Sequence, residues 1–93
     1  MKVKFLKSFY FQLNEIVDYI AKDKPQAARK FKKELVVAIK KDLQFPYNYK
    51  KSIYFDEDNY RDYVHKGYTI TCQINNKDQL VIILGIIKNK NTY

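Results

Sequence analysis

Hydrophobic and polar positions change period several times along the chain, and each change marks an element. Val3 and Phe5 alternate with Lys2 and Lys4, the period-2 signature of a strand over Lys2 to Leu6. Phe9, Leu13, Ile16, Val17 and Ile20 then recur at helical spacing, which predicts a first helix from about Phe9 to Lys22 with Ser8 as candidate N-cap. Asp23-Lys24-Pro25 interrupts that pattern, and Pro25 suits the first turn of a second helix, where its missing N–H costs nothing. Ala28, Phe31, Leu35, Ala38, Ile39 and Leu43 form the second apolar stripe, which Phe45-Pro46 closes. So short a connection predicts an antiparallel helical hairpin.

From Tyr47 to Asn59 the pattern is irregular, predicting a loop with a short strand at Ile53 to Phe55. The remainder is strand-like. Tyr60 to Val64 is one strand, and Tyr68, Ile70, Cys72 and Ile74 alternate with Thr69, Thr71, Gln73 and Asn75 in the next. Asn75-Asn76-Lys77-Asp78 reads as a hairpin turn. Leu80 to Ile87 is continuously apolar, so this last strand is expected near the middle of the sheet and buried on both faces. The expected architecture is α+β: an N-terminal strand and a helical hairpin on one face of a small, mainly antiparallel sheet, in the order β-α-α-β-β-β.

At 93 residues this is a single domain, spanning residues 1–93. With 46% hydrophobic residues and only two Gly and two Pro, the chain is a folded protein and not a disordered one. The single Cys72 excludes an internal disulfide and a cysteine-based zinc site, so neither metal nor other cofactor is expected and a cytoplasmic, reducing setting is the simplest. The longest apolar run is far short of the roughly 20 residues that span a membrane, so no membrane partner is expected. A formal charge of +8 points instead to an anionic partner such as nucleic acid, a ribonucleoprotein or an acidic protein.

Chemistry concentrates around Gly67. His65, the only histidine, is the one side chain suited to carrying a proton near neutral pH. Arg61 and Lys66 flank it, and Lys88 and Lys90 follow the last strand. Which of these meet depends on the hairpin. A three-residue loop His65-Lys66-Gly67 pairs Val64 with Tyr68 and puts Arg61 and Tyr63 on the open face beside Thr69 and Thr71. A two-residue Lys66-Gly67 turn pairs His65 with Tyr68 and sends Arg61 to the apolar face, because a slip of one residue exchanges faces. Gly67 as third loop residue favours the former. Arg61 also has Asp58 and Asp62 within reach as ion-pair partners. The Lys-rich side of the second helix reads as a solvated face.

Across essentially its whole length the chain resembles the RelE/ParE toxins of bacterial type II toxin–antitoxin systems. The resemblance rests on "LNEIVDYIAKDKPQAARKFKKEL" (Leu13 to Leu35), "YRDYVHKGYTITCQI" (Tyr60 to Ile74) with its Gly67-Tyr68 step, and "LVIILGIIKNKN" (Leu80 to Asn91). It implies a growth-inhibiting toxin of plasmid-stabilisation type, neutralised by a cognate antitoxin, acting either on DNA gyrase (ParE-like) or as a metal-independent, ribosome-dependent mRNA endonuclease (RelE-like). For a nuclease, His65 and Arg61 are the catalytic candidates, with Lys66, Lys88, Lys90 and Tyr63 binding the target. RelE-type members often carry Arg directly after the Gly-Tyr step, where this chain has Thr69. That departure favours the ParE-like branch. A third expectation is a non-toxic member that only binds antitoxin.

Overall fold

A computed structural model describes residues 1–89, so Lys90 lies outside the described residues. Strand β1 (Lys2–Phe5) leads directly into α1 (Lys7–Ala21), which starts two residues before the expected point, with Leu6 at the N-cap. Ser8 therefore lies in the first helical turn and not at the cap, and its Oγ donates instead to the Leu84 carbonyl at 2.7 Å. Helix α2 (Pro25–Asp42) begins at the proline. Lys32 Nζ donates to Asn14 Oδ1 at 3.0 Å, joining positions equidistant from the turn, as in an antiparallel pair.

After a short 3-10 turn (Pro46–Asn48) comes a two-residue strand β2 (Lys50–Lys51), then β3 (Tyr60–His65), β4 (Tyr68–Asn75) and β5 (Leu80–Lys88). The five strands lie in the order β1-β5-β4-β3-β2, antiparallel except for the parallel β1–β5 edge. The expected strand at Ile53 to Phe55 is not formed; pairing falls at Lys50–Lys51 instead. Turn chemistry decides this, because Asp62 Oδ2 accepts from the Ile53 N–H and Ser52 Oγ from the Tyr54 N–H.

Both helices cover one face of the sheet. Phe9 and Leu13 from α1 and Leu35, Ile39 and Leu43 from the second helical segment pack on Ile70, Cys72, Val81, Ile83 and Ile86, all buried. The opposite face of β5 is not sealed as expected: Ile82 and Leu84 are half-buried and Ile87 is 43% exposed. Among the described residues the strap after β2 borders this face, with Tyr54 and Phe55 beside Leu84 and Ile87, and Phe55 stacks on Tyr60 at 4.1 Å. Within β5 the register jumps, since Thr71 pairs with Gly85 but Cys72 with Ile83, leaving Leu84 as the extra residue of a β-bulge. Among the described residues no helix is long and apolar enough to cross a membrane.

Candidate functional site

The geometry of the site follows from one turn. Lys66 (φ 48°) and Gly67 (φ 84°) are both left-handed, the requirement of a two-residue type I′ hairpin. His65 accordingly pairs with Tyr68, Tyr63 with Ile70 and Asp62 with Thr71. This overturns the expected three-residue loop. Arg61, Tyr63 and His65 share the helix-covered face, while Asp62 and Val64 share the open face with Thr69 and Thr71. Asp62 is well satisfied there, accepting from Thr71 Oγ1 at 2.9 Å as well as from the Ile53 N–H at 3.2 Å.

Each candidate residue has a definite environment. The Arg61 guanidinium donates to the Tyr49 carbonyl (2.9 Å), the Asp58 carbonyl (2.9 Å) and Asp58 Oδ1 (2.8 Å), and lies 4.8 Å from the Tyr47 ring centre. It is a clamp on the segment leading into and out of the strap. Tyr63 is buried, and its hydroxyl donates to Asp42 Oδ2 at 2.5 Å. Burial, reinforced by that carboxylate, pushes the phenol well above its ordinary range, and neighbouring Tyr49 is raised for the same two reasons. His65 stacks beside Tyr63 at 6.3 Å, half-buried, with its Nε2 enclosed and without a hydrogen-bond partner. Lys66 reaches Glu34 on α2 at 3.4 Å, both side chains being exposed.

Tyr68 pairs with His65 on one side and Lys88 on the other, so these three form a row across β3, β4 and β5. Tyr68 and Lys88 open into a cleft of about 690 Å³ between β5 and α1, with Glu15 and Tyr19 on its far wall. Arg61 stands four residues from His65, about 13 Å along the strand, and its guanidinium is engaged at the strap. The fold thus brings together His65, Tyr68 and Lys88 but not His65 and Arg61. Asp42, which holds Tyr63, lacked any sequence signal, because nothing local predicts a contact spanning 21 residues. Cys72 is fully buried and its thiol is pushed up to about 11, chiefly by burial, so it is an inert core side chain. No cluster of three or more His, Cys, Asp or Glu able to hold a metal occurs among the described residues.

A family model described as the ParE toxin of type II toxin–antitoxin system, parDE, matches residues 3–93. The chain belongs to the RelE/ParE toxin family. Solved structures carry the same fold. A chain of the chromosomal ParDE toxin–antitoxin system from P. aeruginosa superposes with a TM-score of 0.77 at 18% identity, covering 97% of each chain. A chain of the RelBE2 toxin–antitoxin complex from Mycobacterium tuberculosis superposes with a TM-score of 0.66 at 16% identity, covering 97% of this chain and 92% of that one. No curated protein sequence matches. On the open face of this chain β4 presents Thr69, Thr71 and Gln73, β3 contributes Asp62, and Lys50 and Lys51 border the same surface from β2.

Proposed function

We propose that this toxin acts by binding a protein of the replication machinery, such as DNA gyrase, and is silenced by a cognate antitoxin. The observation that supports the reading is the fate of Arg61. Metal-independent RNA cleavage needs cations placed around the phosphorane, and a preorganised donor of that kind is worth roughly 3–4 kcal/mol. Here the one sheet arginine is spent on two main-chain carbonyls and Asp58, and Thr69 occupies the position after the Gly-Tyr step.

The second reading, a ribosome-dependent mRNA endonuclease, draws its support from the row His65, Tyr68 and Lys88, a proton carrier beside a hydroxyl and a cation. Induction of the toxin without its antitoxin separates the two. Binding to a replication target predicts filamentation and an early stop in DNA synthesis while transcripts stay intact, with growth restored by co-expression of the cognate antitoxin. Early transcript cleavage with DNA synthesis still running would overturn the proposal.

A further inference from the structure

The outer side of α2 is used by nothing described so far. Its inward stripe of Ala28, Leu35 and Ile39 is buried. Lys30, Lys33, Val37 and Lys41 follow one another at helical spacing on the opposite side. They border a shallow, open groove of about 550 Å³, lined by side chains of α2 alone, that also takes in Glu34 and Asp42. Both carboxylates are engaged by β3 and its turn: Glu34 faces Lys66 at 3.4 Å, and Asp42 accepts the Tyr63 hydroxyl. The three lysines have no ion-pair partner among the described residues. Val37, between them, is 58% exposed. A helix gains nothing from like charges set one turn apart, since they repel.

We propose that this groove docks an acidic polypeptide segment, its carboxylates meeting Lys30, Lys33 and Lys41 and an apolar side chain seated on Val37. The inference rests on reading the toxin as one that works through protein partners, and it assigns the surface. Charge complementarity supplies the attraction and the register. The lysine stems and Val37 supply an apolar floor that a phosphate track does not need. Nucleic acid fits less well. No aromatic ring lines the groove to stack a base, and no arginine lines it to fork a phosphate.

The test titrates isotope-labelled full-length toxin with three probes of equal length. These are a glutamate peptide carrying two leucines spaced i, i+4, a glutamate-only peptide and a single-stranded oligouridylate. The leucine-bearing peptide is expected to bind most tightly and to shift amide signals across Lys30 to Lys41. The triple variant K30E/K33E/K41E should weaken it by roughly tenfold or more. The variant K2E/K4E/K7E makes the same change in net charge on exposed positions of β1 and the start of α1, and should weaken it less than about twofold through screening. Val37→Ser should cost roughly threefold for the leucine-bearing peptide and nothing for the glutamate-only one. Should the triple variant lose its helical dichroism, K33Q/K41Q replaces it, with a loss of roughly threefold expected. Equal losses in both triple variants, shifts confined to the open sheet face, or tighter oligouridylate binding would overturn the site. DNA synthesis in cells is read separately. A toxin that stops replication but ignores the peptide defeats the docking site alone, and one that binds the peptide while replication continues defeats the function reading alone.

Discussion

Arg61 is 14% exposed at its side chain and donates three hydrogen bonds that fan out to the Tyr49 and Asp58 carbonyls and the Asp58 carboxylate. Only a planar guanidinium reaches all three, so Lys cannot replace it. Arg61→Lys should lower the unfolding free energy by about 1 kcal/mol and Arg61→Ala by about 2, because the part-buried Tyr49 carbonyl loses its donor and the strap its clamp. Urea unfolding measures both; a loss below 0.5 kcal/mol, the noise of a surface ion pair, would show the clamp to be ornamental. Two other residues set the alkaline limit. Folding raises the Cys72 thiol from 9.0 to about 11 and holds the Tyr63 phenol above its ordinary 10.0, so the folded state keeps both protons longer than the unfolded chain. A raised folded value contributes stability that is complete below the unfolded value and is lost as pH climbs through the folded one. Urea midpoints should therefore hold up to pH 9 and fall above it, and Tyr63→Phe should flatten the part of that fall lying above pH 10. At neutral pH Tyr63→Phe should cost about 2 kcal/mol, the worth of a hydrogen bond to a charged group.

Among the elements, β5 depends most on a neighbour. The bulge at Leu84 frees two main-chain groups, and α1 satisfies both: Ser8 Oγ donates to the Leu84 carbonyl, and Gln12 Oε1 accepts from the Ile86 N–H at 2.9 Å. A Cβ on Gly85 would stand 2.5 Å from that Gln12 oxygen. Gly85→Ala should thus expel the amide and leave the Ile86 N–H unpaired, costing about 1–2 kcal/mol. In a Gln12→Ala background the same glycine change should cost less than half as much, which a double-mutant cycle on unfolding free energies reads directly. Additive losses would mean that Gly85 is required for some other reason. Element identities were legible from periodicity: β1, both helices, β3, β4 and β5 lie where the apolar spacing puts them. Two features were not. The Lys50–Lys51 strand has no apolar alternation to announce it, and Lys66 is an unusual residue for the first place of a type I′ turn, which disguised the register.

For the whole molecule, helices on one side leave a sheet whose other face has Lys50, Lys51 and Asp62 at its β2 edge and hydroxyl and apolar side chains on β4 and β5, and much of the net +8 resides on α2. If the toxin works by binding, His65→Ala should keep full growth arrest, since His65 lies half-buried on the helix-covered side. Arrest lost in a variant that remains folded by circular dichroism would return the case to the nuclease. What the sequence by itself determined was fold class, helix stripes, strand order along the chain and family, because these are written in local period and in the succession of elements. What only tertiary structure decided was which face each β3 side chain occupies and who its partners are. A single residue of register inverts that assignment, and the energy that sets it comes from long-range packing such as Tyr63 against Asp42, which no local window contains.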